Sequence, residues 1–312
     1  DVQNHKKLES NITTNGPNYY TSWKNVHPIQ EDDIGKIKIS SFDIECDSSH
    51  GDFPLAVKDY KSTVNEIIQT VVACVKKCET ITISTVTQWL KYCFRNYETG
   101  SFDNIKLKNS FNNVYIKHPS KYVSSTINEN IGNIIRLIKP LCNNKLSRAE
   151  FKIEKTNSSS RLLKLFNSKW PQLEGDKIIQ IGVTTQVYSE TKIEKYIVTL
   201  GSCDPINDVI VESVQTEKEL LVKWIQYMSK TNPHIWTGYN IFGFDFKFVW
   251  ERSKELGCQH LLGSLAIVKN YFPELTEKSL MSAALGQNYW YYPDIPGTTF
   301  IDVMKDIQKN HN

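Results

Sequence analysis

Phe42-Asp43-Ile44-Glu45-Cys46, taken with Gly238-Tyr239-Asn240-Ile241-Phe242-Gly243-Phe244-Asp245, decides how this chain reads. The first stretch closes an alternating run, residues 36–46, that predicts a β-strand. In a strand, residues i and i+2 point to one face, so Asp43 and Glu45 share a face. Phe42 and Ile44 then pack into the core on the other. The second stretch delivers a third acid, Asp245, where a turn enters a helix. Negative charge is favoured in a first helical turn, and Gly238 and Gly243 are expected to permit sharp backbone turns. Carboxylates are the hard oxygen ligands that divalent cations require, and a pair of such cations can cut a phosphodiester. The bland alternatives are a wet strand edge for Asp43 and Glu45, and a simple helix cap for Asp245.

Further strands are predicted over 177–187 and 192–200, joined by a polar turn at Ser189-Glu190. Thr216 and Glu219 form a capping-box pattern ahead of Leu220, Leu221, Trp224, Ile225 and Met228, the apolar stripe of an amphipathic helix. His234-Ile235-Trp236-Thr237 reads as a short buried strand. The helix begun by Phe246, Phe248, Val249 and Trp250 should end at Gly257. Residues 299–304 make a late strand. The order β, β, β, α, β, α fits an α/β protein with a mixed sheet and helices packed on it. Residues 271–298 read as a loop-rich aromatic patch around Tyr289-Trp290-Tyr291-Tyr292-Pro293.

Residues 58–169 break that regularity. Helices are predicted at 63–77, 85–97 and 127–139, with a polar loop at Asn157-Ser158-Ser159-Ser160. The block reads as a mostly helical insertion. It holds 19 Lys+Arg against 8 Asp+Glu, a net of +11, inside a 312-residue chain of net charge +3. The acids therefore concentrate where the three carboxylates lie. Trp89, Tyr92, Phe94 and Tyr97 interleave with the basic residues at a spacing that suits either a helix core or a stacking platform for bases.

Composition sets the class. A hydrophobic content of 40% with 11% aromatics suits a globular protein with a substantial core. No apolar run approaches the ~20 residues needed to span a bilayer, so no membrane partner is expected. Seven Cys, an odd number spread over a large chain, suit reduced thiols and a chain that is not secreted. Cys74 and Cys78 have helical spacing inside an apolar run and read as buried thiols, not half of a zinc site. The N-terminus has neither Met nor a signal-peptide core and is read as an internal cut, with residues 1–35 the end of a preceding domain.

Phe42-Asp43-Ile44-Glu45, followed by Gly51-Asp52-Phe53-Pro54, resembles the first exonuclease motif of family B DNA polymerases. Tyr239-Asn240-x-x-x-Phe244-Asp245 resembles the second. Asp176 to Gly182 and Gly297 to Asp302 resemble the strands between and after them. The likeness covers about 36–57 and 171–312 and is strongest to the delta-type and large-DNA-virus branch. It implies an RNase H-like 3′→5′ exonuclease domain over 36–57 and 170–312 that removes mispaired 3′ nucleotides. Asp43, Glu45 and Asp245 would be both catalytic residues and ligands of two Mg²⁺ or Mn²⁺ ions. Phe53 and Asn240 would position a frayed single strand of DNA, with Phe244 shaping the pocket. The implied partners are a primer–template, a polymerase domain further along the same protein and a sliding clamp. The implied location is the nucleus or a viral replication site in host cytoplasm.

The family's third motif, Tyr-x-x-x-Asp, is not found: no Tyr here is followed by Asp at the fourth position. A His-x4-Asp pattern occurs only at His27 to Asp32, upstream of the first motif. The expectation is an exonuclease domain incomplete at its C-terminal end, hydrolysing DNA feebly or not at all as an isolated chain. One alternative is a stand-alone exonuclease using Asp302 or Asp47 as a further ligand. Another is a noncatalytic module whose basic insertion binds nucleic acid. If the insertion contacts duplex DNA, deleting 58–169 should lower both affinity and the steepness of its salt dependence, measured by titration at several salt concentrations. Unchanged binding would mark it as a solvated, Lys-rich surface.

Overall fold

The structure, a computed structural model, describes residues 6–7, 19–28, 35–48, 53–94, 109–116, 123–143, 145–268, 270–282 and 286–310. In chain order the strands are β1 (Lys6–Lys7), β2 (Tyr19–Tyr20), β3 (Lys38–Asp47), β4 (Lys177–Val187), β5 (Ile193–Leu200), β6 (Ile210–Val214), β7 (Ile235–Gly238), β8 (Leu275–Ser282), β9 (Gly286–Pro293) and β10 (Thr299–Asp302). The helices are α1 (Lys61–Lys76), α2 (Ile83–Cys93), α3 (Val123–Ile138), α4 (Arg148–Lys169), α5 (Glu217–Thr231), α6 (Asp245–Glu255) and α7 (Val303–Asn310). The chain divides into two compact units, one of residues 1–47 and 177–312, the other of 48–176. Gly51, Asp52 and Asp32, and most of residues 1–35, fall outside the described residues, as does Tyr97.

The first unit is built on a six-stranded mixed sheet in the order β10-β7-β3-β4-β5-β6. β3 pairs antiparallel with β4 and parallel with β7, and β7 pairs parallel with β10. The architecture is the α/β mixed sheet with packed helices expected from the sequence. Alternation along β3 buries Phe42 and Ile44 and exposes Asp43 and Glu45. Phe42 meets Trp224 of α5, Trp236 of β7 and Phe246 of α6, with ring centroids 5.6, 6.0 and 5.3 Å apart. Burial of these large rings supplies much of the driving force that seats both helices on the sheet.

Local signals start and stop these helices. Thr216 and Glu219 form the anticipated capping box of α5. Gly257 adopts φ +67° just past the end of α6, a left-handed stop suited to glycine. A buried ion pair joins the layers. Arg252 of α6 donates from Nε to Glu217 at 2.8 Å, and Glu217 also accepts the Ile178 N–H of β4 at 2.9 Å.

The sequence reading needs three corrections. The polar run Asn157–Ser160 is not a loop but the middle of the 22-residue helix α4. A Ser147/Glu150 capping box starts that helix, buried Leu162 and Phe166 hold it down, and Ser158 donates to the Leu137 carbonyl. The supposed loop-rich patch is an antiparallel hairpin, β8–β9, with Tyr289 to Tyr292 on its second strand. The late strand ends at Asp302, and helix α7 begins at Val303.

The second unit is mostly helical with its own core, including Ile67, Leu90, Ile127, Ile134, Leu162 and Phe166, all fully buried. Trp89, Tyr92 and Phe94 are buried in that core as well, so these aromatics pack the interior and offer no stacking platform. None of the seven cysteines is in a disulfide; Cys74 is buried as expected, whereas Cys78, just past the end of its helix, is exposed. No helix among the described residues is long and apolar enough to cross a membrane.

Arg252→Ala would leave Glu217 buried without its charge partner. The expected cost is about 3–5 kcal/mol, read as a lowered urea midpoint with an unchanged slope. A loss below about 1 kcal/mol would show that the pair contributes little.

Candidate active site

The sheet register sets the site. β7 pairs with β3 only over Ile39–Ser41, and β3 runs on past the point where β7 ends. Gly238 is the last residue of β7. A Cβ there would lie 2.7 Å from the Phe42 carbonyl oxygen and 2.5 Å from the Ile241 side chain. A side chain does not fit, so glycine allows the chain to turn tightly against β3. The next turn is made by Asn240 at φ +61°, a conformation that asparagine tolerates. At Gly243 a Cβ would meet the Asn240 side chain at 2.3 Å. Both glycines therefore permit the turn by allowing close approach, and the left-handed residue in it is Asn240.

This turn places Asp245 as the first residue of α6, 2% exposed. Its Oδ1 accepts the Ile44 N–H of β3 at 3.2 Å. Burial, the charge of Asp43 and a hydrogen bond shared with the Asp43 carboxyl push its pKa up to about 7, against the pull of the Ile44 N–H and its own backbone N–H. The structure thus brings Asp43 and Asp245 together. Glu45 shares their strand face, next to a register shift between Glu45 and Cys46. No group of three His, Cys, Asp or Glu among the described residues is close enough to hold a metal ion. Glu45 is therefore not drawn into a cluster with the other two.

The donors fit a divalent cation all the same. Two carboxyls that face each other repel when both are charged, and a cation would relieve that repulsion. Gly182 lies opposite Asp43 in β4, and a Cβ built on it meets nothing within 4 Å, so there is open space beside the acid.

The other expected residues divide between the units. Asn240 and Phe244 lie in the turn that carries Asp245, and Phe244 packs on Phe248 with centroids 5.1 Å apart. Phe53 is in the second unit, 72% exposed, at the edge of a cavity of about 500 Å³ with Leu55, Val57 and Tyr115.

Two neighbours of the site lie outside the catalytic and DNA-binding residues expected from the sequence. Phe242 is an unspecified position within the second motif. Its ring meets Trp290 and Tyr292 of the hairpin, with centroids 5.7 and 5.8 Å away. Asp302, weighed as a further ligand, is 4% exposed and accepts three backbone N–H bonds, so its oxygens are already engaged. A lone acid in an apolar strand, Thr299-Phe300-Ile301-Asp302, was the available signal, because a buried carboxylate must find donors.

Residues 134–312 match the family model for "DNA polymerase family B, exonuclease domain". The chain belongs to the family B DNA polymerases. The DNA polymerase of Pyramimonas orientalis virus is 33% identical over 333 residues, spanning 100% of this chain and 27% of that protein. The DNA polymerase of Phaeocystis pouchetii virus is 32% identical, over 81% of this chain and 29% of that protein. The DNA polymerase delta catalytic subunit of Arabidopsis thaliana is 31% identical over 46% of the chain and 13% of that protein. The chain thus spans under a third of the length of these relatives. Asn240, Phe244 and Asp245 fall within the segment matched to the family B exonuclease domain, whereas Asp43, Glu45 and Phe53 precede it. Exonuclease domains of this family use divalent metal ions.

A pKa raised in the folded state means that the native chain holds a proton the unfolded chain has lost. Between the ordinary carboxylate range and about pH 7, stability should therefore fall as pH rises. The expected fall for the metal-free chain is roughly 2–4 kcal/mol between pH 4 and pH 8. Asp245→Asn should abolish most of it and Asp43→Asn part of it. Stability that falls equally with pH in all three chains would count against the raised Asp245 carboxyl.

Proposed function

We propose that this chain supplies the 3′→5′ exonuclease centre of a DNA polymerase, with Asp43, Glu45 and Asp245 holding two Mg²⁺ or Mn²⁺ ions. The observation that carries this reading is the meeting of the Asp43 and Asp245 carboxyls, 202 positions apart. When bound, the ions would make water nucleophilic near neutral pH and stabilise the departing 3′ oxygen. The protein's own contribution is placement. β3 presents Asp43 and Glu45 on one exposed face, and α6 presents Asp245 at its N-terminus, where negative charge is favoured. Burial and Asp43 make Asp245 the acid that must lose a proton before cations enter, so loading should improve as pH rises through about 7. Asn240 carries an amide that can hydrogen-bond a base or phosphate, and Phe244 provides an apolar wall. Phe53, exposed on its own unit, is assigned to stacking a base.

On this reading the substrate is the mispaired 3′ end of a primer on its template. The polymerase domain of the same protein and a sliding clamp are the partners. Viral DNA polymerases among its relatives favour a viral replication site.

Mn²⁺ titrated calorimetrically into the chain at pH 8, with and without a short single strand bearing a free 3′ end, tests this. One or two bound ions are expected, and Asp43→Ala should weaken binding at least about tenfold. Hydrolysis of a 3′-labelled strand by a polymerase carrying this chain should fall by orders of magnitude in the same variant. Specific Mn²⁺ binding untouched by Asp43→Ala would refute the assignment.

A further inference from the structure

Asp302 is a buried acid that the cation reading does not use. It is the last residue of β10, opposite Gly238 in the parallel register. Its Oδ1 accepts the Asn240 N–H at 2.9 Å and the Met304 N–H at 3.0 Å, and its Oδ2 accepts the Phe242 N–H at 3.0 Å. The Met304 bond is local and would serve the start of α7 by itself. The other two reach back 62 and 60 residues to the turn that precedes α6. No helix cap requires them.

That turn needs an anchor. Asn240 sits at φ +61°, off the usual backbone regions for a residue with a side chain. Its carbonyl accepts from Gly243 and Phe244 at 2.9 and 3.0 Å, and the Ile241 carbonyl accepts from Phe246 at 3.2 Å. A chain of hydrogen bonds therefore runs from the Asp302 carboxylate, through Asn240 and the turn, into the helix that begins with Asp245. The hairpin braces the same turn from its own direction, since the Phe242 carbonyl accepts the Tyr291 N–H at 2.8 Å. Phe242 is thus held at both backbone atoms, by Asp302 at nitrogen and by β9 at oxygen.

We propose that Asp302 is a positioning residue of the exonuclease centre. By gripping the Asn240 and Phe242 N–H groups it fixes the turn that sets Asp245 beside Asp43 and presents the Asn240 amide. Asp302 touches neither cation nor DNA. Hydrogen bonds to a carboxylate are about twice as strong as neutral ones, so one side chain can hold a turn that local sequence leaves strained. This role rests on the reading of Asp43 and Asp245 as cation ligands.

Asp302→Asn separates the capping role from the anchoring role. Its amide oxygen can still accept from Asn240 and Met304, but its NH₂ group would face the Phe242 N–H, donor against donor. Asp302→Ala removes all three acceptor contacts. Three readouts on the full chain decide: Mn²⁺ affinity by calorimetry, amide exchange of residues 239–246 by mass spectrometry, and the melting temperature. Asp302→Asn is expected to speed exchange in 239–246, leave β4–β5 protected, and weaken Mn²⁺ binding about tenfold, with Asp302→Ala weaker still. Mn²⁺ binding by Asp302→Asn equal to that of the unaltered chain overturns the proposal, whether or not exchange changes, and leaves Asp302 a helix cap or loop tie. If Asp302→Ala fails to fold, Asp302→Asn, which keeps the cap, carries the test alone. An unaltered chain that binds no Mn²⁺ defeats the cation reading itself, and the role of Asp302 toward the ions falls with it. Lost binding in Asp302→Asn beside intact binding in the unaltered chain bears on Asp302 only.

Discussion

The parallel pairing of β7 against β3 is the constraint from which the candidate site follows. Three residue pairs set it, and it stops at Gly238, where the Phe42 carbonyl leaves no room for a side chain. β3 continues beyond that point, so its exposed acids project where the chain leaving β7 must turn. The pairing is itself held from below by the aromatic cluster of Phe42, Trp224, Trp236 and Phe246, which buries the opposite face of the same strands. One strand thus serves two solvents: its apolar face pays the cost of folding and its acidic face is left free for chemistry.

Two buried acids beside the site show how environment divides roles among identical side chains. Asp245 accepts a single N–H from a neighbouring strand and faces another carboxyl, so its charge is poorly compensated and it holds a proton to about pH 7. Asp302, equally buried, is surrounded by three backbone donors. The first suits a site that receives a cation. The second suits a fixed structural anchor, because both its oxygens already accept backbone N–H groups. Glu217 is a third solution, a buried acid matched by Arg252 and a strand N–H.

The second unit is organised on a different plan. It carries 19 Lys+Arg against 11 Asp+Glu over residues 48–176, yet Trp89, Tyr92 and Phe94, which interleave with its charges in sequence, are buried in its core.

Much of this was legible in the chain. Period-two alternation around Phe42 to Glu45 is a direct consequence of strand geometry, and the sheet kept it. Thr216 with Glu219, and Gly257, are local signals whose hydrogen bonds close within a few residues, so sequence could find them. The polar run Asn157–Ser160 misled because its residues favour loops locally, whereas Leu162, Phe166 and the Ser158 bond to Leu137 reward a helix only once α3 is packed nearby. The hairpin strand Tyr289–Tyr292 was hidden by the same cause, since its pairing lies in β8. Sequence by itself determined which carboxylates were available and on which face of a strand each could stand. Only the tertiary structure decided that Asp43 meets Asp245, that Asn240 makes the turn, and that Asp302 ties it down. Those outcomes depend on close approach between segments some 60 to 200 residues apart, and local periodicity carries no record of such distances.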